Sequence, residues 1–219
     1  MKPSAICRGL HMLIEVKIEG TDFTFNNSSG IISEGKRKRQ AMTATERDIL
    51  QAIRKDANRG FGMLLNTYQE QIYWHIRRIT VSHADAQDAL QETFVRVYAS
   101  IDRVDDEQSL TAWIYRIASN EALRQRERNS KASISLDEVP GEAQATSDQY
   151  IDYSDLEAIK LQQAIQSLPY KQQLTFNLRY YDELDYDTIA SITESTPSAA
   201  KSNYHQAKEK IINYMNSIL

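Results

Sequence analysis

The sequence predicts an all-α fold, with two small helical domains joined by a flexible acidic linker. The chain has 219 residues but only 7 Gly and 4 Pro, too few for an all-β fold with a turn every ~8–12 residues. Long stretches are rich in Ala, Leu, Gln, Glu, Arg and Lys, which favour helix. Apolar residues in these stretches recur at spacings of three and four, as on one face of a helix.

Residues 1–42 differ from the rest of the chain. Ile14, Val16 and Ile18 alternate with charged residues, a strand-like period, and residues 36–39 are all basic. A lone short strand is marginal, and chain termini are usually loose. We therefore expect a poorly ordered extension, or a mis-annotated leader before Met42. The alternative is a basic arm that binds nucleic acid.

The first domain is predicted over residues 43–128 and contains four helices. Thr45 is a candidate N-cap for the first helix, and a second apolar stripe runs from Phe61 to Ile79. A third helix is predicted from about residue 83 to residue 101. After a polar connector, a fourth helix is predicted from Leu110 to Arg128.

The linker is predicted over residues 129–155, which carry one basic and six acidic residues. Low hydrophobicity and weak helical period are typical of a tether. The net charge of −4 is thus concentrated here, and basic faces can exist elsewhere. Residues 156–219 form the second domain, with helices expected near 156–167, 170–181, 186–193 and 197–216.

Composition excludes several classes of protein. Cys7 is the single cysteine, so neither a disulfide framework nor a multi-cysteine zinc site is expected. No apolar run approaches the ~20 residues that cross a bilayer, and no signal peptide is recognisable. We therefore expect a cytoplasmic protein without membrane insertion. No Gly-rich phosphate loop or nucleophile elbow is present, so we expect no enzyme activity, cofactor or metal.

A helix-turn-helix pattern lies in residues 185–208. Ala190 is small where two helices must cross, Thr196 can cap the second helix, and Pro197 suits its first position. Such a second helix enters the major groove. Its polar side carries Lys201, Ser202, His205 and Lys208. Its apolar side carries Ala200, Tyr204, Ala207 and Ile211. The alternative is a surface helix of an ordinary bundle.

Two further helical faces are candidates for binding. Arg116, Asn120 and Arg124 are four residues apart, and such side chains contact phosphates and base edges. The alternative is a solvated face with Trp113 in the core. Asp85, Asp88, Glu92 and Arg96 share one side of the third helix. That face either serves solubility or docks a basic partner.

At these residues the chain resembles the extracytoplasmic-function sigma factors, the smallest class in the sigma-70 family. Residues 85–98, DAQDALQETFVRVY, resemble the region 2.2 motif D-A-E-D-L-x-Q-E-x-F-x-R-x-W. Residues 112–120, AWIYRIASN, resemble T-W-L-Y-R-I-A-x-N. Leu168-Pro169, residues 178–181 and the helix-turn-helix resemble region 4. The matches run in order over about 175 residues.

The resemblance implies a promoter-specificity subunit with three binding surfaces and no catalytic site. The surface for core RNA polymerase, on its β′ clamp, would comprise Asp85, Asp88, Gln91, Glu92 and Arg96. The surface for the promoter −10 element would comprise Arg103, Leu110, Trp113, Arg116, Asn120 and Arg124, with a flipped base held by the connector 103–110. The surface for the −35 element would comprise Lys201, Ser202, His205, Gln206 and Lys208. The β flap of the polymerase and an anti-sigma factor are further implied partners.

Departures from the family pattern occur in the helix-turn-helix. Glu194 stands where a turn glycine is frequent, and arginines are frequent at the positions of Lys201, Asn203, Gln206 and Lys208. Lysine lacks the two-pronged geometry that arginine offers guanine. Two alternatives remain from the residues: a stand-alone helix-turn-helix regulator, and a helical adaptor that binds only proteins. We also expect the two helical domains to have separate interiors.

Overall fold

The structure, a computed structural model, describes residues 43–104, 109–135 and 156–216. These ranges contain eight α-helices, one short 3-10 turn (Ile101–Arg103) and no strand, which confirms the all-α prediction. The residues before 43 and the linker residues 136–155 lie outside the described ranges. The helices are α1 (Ala44–Lys55), α2 (Ala57–Thr80), α3 (His83–Ser100), α4 (Leu110–Ser135), α5 (Leu156–Gln166), α6 (Tyr170–Tyr180), α7 (Tyr186–Ile192) and α8 (Pro197–Asn216).

Helix α1 begins with a reciprocal cap. The Glu46 backbone N–H donates to Thr43 Oγ1 at 3.2 Å, and the Thr43 N–H donates to Glu46 Oε2 at 2.7 Å. This capping box satisfies two N–H groups that a helix start leaves unpaired. The N-cap is therefore Thr43, and the prediction of Thr45 was wrong by two residues.

Helices α1 and α2 cross at a glycine. Asp56 separates them, ending α1 and accepting hydrogen bonds from the N–H groups of Asn58 and Arg59 at 3.1 Å. A Cβ at Gly60 would lie 2.5 Å from the Ile53 Cα and 2.6 Å from the Ala52 carbonyl carbon. The two backbones can approach this closely only because residue 60 has no side chain.

Helices α1–α4 form the N-terminal bundle. Its most deeply buried side chains come from three helices and include Leu64, Ile76, Leu90, Phe94 and Ile114, each at most 1% exposed. Helix α4 continues to Ser135, seven residues past its predicted end. Residues 129–135 are therefore helical, and their assignment to the linker was wrong.

Helices α5–α8 form the C-terminal bundle. Its own core cluster contains Ala164, Ile165, Leu168, Phe176, Ala207 and Ile211. Thr196 Oγ1 accepts the N–H of Ala199 at 3.1 Å, and α8 starts at Pro197. Both features of the predicted helix-turn-helix are thereby confirmed.

The two bundles pack against each other. The core cluster of the N-terminal bundle also includes five residues of the C-terminal bundle: Leu174, Leu178, Ile189, Ile192 and Ala200. Trp113 and Ile117 are partly buried and pack on the same cluster. The expectation of fully separate interiors was wrong, because α6 and α8 contribute apolar side chains to both core clusters.

Candidate nucleic-acid interface

The turn between α7 and α8 is closed by hydrogen bonds within the motif. Asp185 Oδ1 caps α7 by accepting the Thr188 N–H at 2.8 Å. The Ser195 N–H donates to the Ala190 carbonyl at 2.9 Å, and the Thr193 and Ser195 hydroxyls are 2.8 Å apart. Glu194 has a φ of 52°, in the left-handed region. A side chain in this region costs roughly 1–2 kcal/mol that glycine would not. The hydrogen bonds of the turn therefore hold Glu194 in a conformation that usually favours glycine.

Helix α8 presents the predicted polar face to solvent. All five predicted residues of this face are exposed: Lys201, Ser202, His205, Gln206 and Lys208. On the opposite side Ala200 and Ala207 are completely buried. Gln206 Oε1 accepts from Gln172 Nε2 at 2.8 Å, which ties the middle of the face to α6. A rigid helix with a cationic polar face is suited to a DNA groove.

Helix α4 carries the second predicted set. Asn120 and Arg124 are exposed, and Arg124 Nη1 pairs with Glu121 Oε1 at 2.6 Å. Arg116 instead turns toward α7: its Nη2 donates to the Ser191 carbonyl at 2.5 Å, and its Nη1 lies 3.6 Å from Glu194 Oε1. In this arrangement Asn120 and Arg124 face solvent, whereas Arg116 faces the other bundle.

The connector between α3 and α4 is described at both ends, Arg103–Val104 and Ser109–Leu110, and residues 105–108 lie outside the described ranges. Arg103 is exposed. Leu110 is completely buried and Trp113 is half-buried against the core. In this arrangement Leu110 anchors the start of α4 from inside and cannot reach a nucleotide. Leu110 could contact DNA, as predicted, only if the start of α4 changed its structure.

Glu46 fixes the end of this connector and was missed by sequence reasoning. Its Oε1 accepts from the Thr111 N–H at 2.8 Å, the Thr111 hydroxyl at 2.7 Å and the Ser109 hydroxyl at 3.3 Å. Burial alone would raise the pKa of Glu46, but the hydrogen bonds from Thr111 and Thr43 outweigh burial and lower it. The capping box was readable in the sequence, whereas the link to Thr111 was not.

Helix α3 carries the predicted acidic face. Asp88, Glu92 and Arg96 are exposed, while Asp85 and Gln91 are half-buried. Asp85 accepts from Gln125 Nε2 at 3.0 Å and from Asn129 Nδ2 at 2.7 Å, both on α4. Arg96 Nε pairs with Glu121 Oε1 at 2.7 Å. Asp88 and Glu92 therefore offer negative charge to a partner, and their neighbours hold α3 against α4.

A buried polar cluster joins the two bundles, and sequence reasoning missed it as well. Asp182, which follows α6, has a side chain only 3% exposed. Its Oδ2 lies 2.9 Å from His75 Nδ1, and its Oδ1 accepts from Arg78 Nη2 at 2.9 Å. His75 Nε2 lies 2.9 Å from the Ser119 hydroxyl oxygen on α4. Because Asp182 lies more than 100 residues after both His75 and Arg78 in the chain, no local pattern could reveal this cluster.

Comparisons with known proteins agree with this geometry. The model of Sigma-70 region 2 matches residues 64–132, and the model of Sigma-70 region 4 matches residues 158–211. Together they cover more than half of the chain, in the order and on the helices described above. The chain therefore belongs to the sigma-70 family, as an extracytoplasmic-function sigma factor.

Its relatives are of the same class. The chain is 28% identical over 173 residues to the ECF RNA polymerase sigma factor SigW of Bacillus subtilis, covering 74% of this chain and 92% of SigW. It is 24% identical over 185 residues to the ECF RNA polymerase sigma-E factor of Escherichia coli, covering 80% of this chain and 96% of that protein.

Two solved structures share the fold. CnrH, solved in complex with the cytosolic domain of CnrY, superposes with a TM-score of 0.63 at 15% identity, covering 80% of this chain and 99% of CnrH. The sigma factor RpoE of Bartonella quintana, solved with the anti-sigma factor NepR, gives 0.58 at 21% identity, covering 73% and 98%. In the parts of this chain that the structure describes, no helix is long and apolar enough to cross a membrane.

Proposed function

We propose that the protein directs core RNA polymerase to promoters through three separate surfaces, one for the polymerase and one for each promoter element. The observation that supports this most strongly is the placement of the three predicted residue sets. They lie on α3, on α4 with the 3-10 turn before it, and on α8, and each keeps most of its polar side chains at the surface. Each set belongs to a segment that matches a sigma-70 region.

Helix α3 would dock on the polymerase. Asp88 and Glu92 are one helical turn apart and exposed, so they can approach a basic partner together. Asp85 and Arg96 flank them but are engaged with α4 side chains. Charge complementarity of this kind sets partner choice and the rate of association.

The connector and α4 would act on the −10 element. Flipping a base out of the stack costs a few kcal/mol, roughly, so the pocket that receives it must be preformed. Glu46 supplies part of that rigidity, because it holds Ser109 and Thr111 at the end of the connector. Asn120 and Arg124 would contact the neighbouring duplex, joined by Arg116 once it leaves α7.

Helix α8 would enter the major groove at the −35 element. Lys201 and Lys208 bring positive charge to phosphates, while Ser202, His205 and Gln206 would meet base edges. Lysine is a single point of charge and lacks arginine's paired donors. We therefore expect the contribution of α8 to depend strongly on salt and less on a single guanine.

An anti-sigma factor is a further proposed partner. The Bartonella relative was solved with the anti-sigma factor NepR, and CnrH with the cytosolic domain of CnrY. A chain of the same fold offers the same kind of helical surfaces. The chemistry of RNA synthesis would reside in the polymerase, and this protein would supply binding energy and specificity.

Association with core polymerase tests the proposal. The unaltered chain should bind core polymerase from its own host, and Asp88→Lys with Glu92→Lys should weaken binding by more than about tenfold, because like charges then face each other. The matched control is Asp48→Lys with Glu70→Lys, two exposed acidic residues on α1 and α2. Surface plasmon resonance with immobilised polymerase gives both affinities.

Two results would contradict the proposal. One is an unaltered chain that never associates with core polymerase. The other is an equal loss of binding in the test and control variants, because the α3 face would then have no special role. Tight binding to duplex DNA in the absence of polymerase would instead favour a stand-alone helix-turn-helix regulator.

A further inference from the structure

The contact between the two bundles has an apolar part and a polar part. Leu174 and Leu178 of α6, with Ile189 and Ile192 of α7, are at most 5% exposed and join the core of the N-terminal bundle. Beside them lies the buried polar cluster, which we call the latch and define as Asp182, His75 and Arg78. The buried charges fix how the two bundles are oriented, because any other orientation would leave a charge buried without its partner.

Every side-chain nitrogen and oxygen of the latch has a hydrogen-bond partner. An ionised carboxylate only accepts hydrogen bonds, so the proton on the His75 ring lies at Nδ1, which faces Asp182 Oδ2 at 2.9 Å. The two Nη atoms of Arg78 lie 3.2 and 2.9 Å from Asp182 Oδ1. The Arg78 guanidinium also lies 4.7 Å from the centre of the Tyr181 ring, within cation–π range.

Removing Asp182 would leave two cationic or polar groups buried without their acceptor. Arg78 has a side chain 9% exposed, and His75 is completely buried. Removing one partner of a buried ion pair destabilises a protein much more than removing one partner of an exposed pair, because the remaining charge stays out of water. The contact between the bundles is therefore far more sensitive to Asp182 than to exposed acidic residues nearby.

This arrangement cannot engage both promoter elements. The −10 and −35 elements are separate stretches of duplex, and every ten base pairs between them add about 34 Å of B-DNA at about 3.4 Å per base pair. Here α4 and α7 are in direct contact, and Arg116, proposed for the −10 element, is bonded to the Ser191 carbonyl. The 20 residues between Ser135 and Leu156 could span up to about 70 Å when extended, so the chain length permits separation.

We infer that the Asp182 latch holds the free protein in a closed, self-inhibited arrangement, and that the two bundles must separate before promoter binding. The inhibition of promoter binding rests on the proposed function, whereas the latch itself is a property of the free chain. The closed form hides part of α4 without any second protein. Binding to core polymerase would have to supply the free energy that opens the latch.

Small-angle scattering of the full chain tests the latch. Asp182→Ala should increase the radius of gyration by about 3 Å or more relative to the unaltered chain, because separated domains scatter as a longer particle. The matched control, Glu183→Gln, changes the neighbouring exposed acidic residue and should leave the radius unchanged. Far-UV circular dichroism reports whether the helices remain intact in each variant.

A second variant guards against misfolding of the first. Asp182→Asn keeps the size of the side chain at position 182 but removes the charge that pairs with Arg78 Nη2 at 2.9 Å. The change opens no cavity, so both bundles should stay folded while the radius of gyration rises as in Asp182→Ala. Unchanged dimensions in either folded variant would overturn the latch.

Affinity for core polymerase tests self-inhibition. An apparent dissociation constant rises as the competent fraction falls, so Asp182→Ala should bind about threefold or more tightly than the parent. An expanded variant that binds no tighter would overturn self-inhibition. The scattering result needs neither polymerase nor DNA. A chain that expands on Asp182→Ala but never binds polymerase would therefore contradict only the proposed function.

Discussion

At the scale of single residues, Glu46 shows how one buried carboxylate can position a binding loop. It closes the cap of α1 and also accepts three hydrogen bonds from Ser109 and Thr111. Tyr68 donates to or accepts from the Thr111 hydroxyl at 2.9 Å, and burial raises the pKa of Tyr68 to about 12. The end of the connector is thus held by an ionised acid and a neutral phenol.

The Glu46 carboxylate should make stability depend on pH. Its pKa is lowered below the ordinary value of 4.5, so its contribution is present above about pH 4.5 and is lost as pH falls through the folded-state pKa. Glu46→Gln should lower the free energy of unfolding at pH 7 by about 1–3 kcal/mol and reduce its fall between about pH 5 and pH 3. Urea unfolding across this range measures both effects.

The control for Glu46 is Glu70→Gln, an exposed glutamate on α2. Its removal should change neither the stability at neutral pH nor the acid slope by more than ~0.5 kcal/mol. If Glu46→Gln kept the full acid slope of the parent, the hydrogen bonds to Thr111 would not be what stabilises the ionised form.

At the scale of helices, the crossing of α1 and α2 depends on Gly60. Gly60→Ala should lower the free energy of unfolding by about 1–3 kcal/mol, because the new methyl group meets the α1 backbone and not a flexible side chain. Gly62→Ala, two residues on, meets nothing within 4 Å. It should raise stability by about 0.5–1 kcal/mol through helix propensity. Thermal unfolding measures both changes in stability. Changes of the same sign in the two variants would contradict the close crossing of α1 and α2.

The lysines of α8 should make the affinity for promoter DNA depend on salt concentration. Lys201→Ala with Lys208→Ala should reduce the slope of log affinity against log salt by about two, because each lysine releases about one counterion from a phosphate. Lys210→Ala is the control on the same helix, since its amine donates to Gln172 Oε1 at 2.9 Å, away from the proposed DNA face. Titration of holoenzyme with promoter duplex at several salt concentrations gives the slopes. An equal change for Lys210→Ala would argue against this face.

Helix boundaries were largely predictable, and the exceptions have physical reasons. The last four helices end within one residue of prediction, because turn residues such as Pro169 and Pro197 punctuate the chain there. Helix α4 runs past Arg128 because extending an existing helix costs little, and Asn129 also bonds Asp85 on α3. Residues 129–135 carry little apolar period, so their sequence gave no sign of this continuation.

At the scale of the whole molecule, the packing of the two bundles was not predictable. Apolar period shows that a helix face is buried but does not name the surface that buries it. Ile189 and Ile192 lie in the first helix of the helix-turn-helix, and they belong to the core cluster of the N-terminal bundle. The faces of α3 and α8 were predictable because each forms within one helix. The latch was not, because Asp182 and Arg78 are 104 residues apart.

The closed arrangement gives an order of events. Asp88 and Glu92 are exposed while the bundles are together, so docking on polymerase can precede opening. Opening then releases Arg116 from Ser191 and lets the two DNA-binding helices reach separate elements. Contact with promoter DNA is thereby confined to protein already bound to polymerase.

Transcription from a library of random promoter sequences, with core polymerase and the full chain, tests the central claim most directly. We expect enriched transcripts that start downstream of two shared elements separated by a fixed spacing. Preference for the upstream element should be lost with His205→Ala and Gln206→Ala, because these side chains are proposed to meet base edges. Transcripts without any shared upstream sequence, or the same selection in this double variant, would contradict the proposed role of α8.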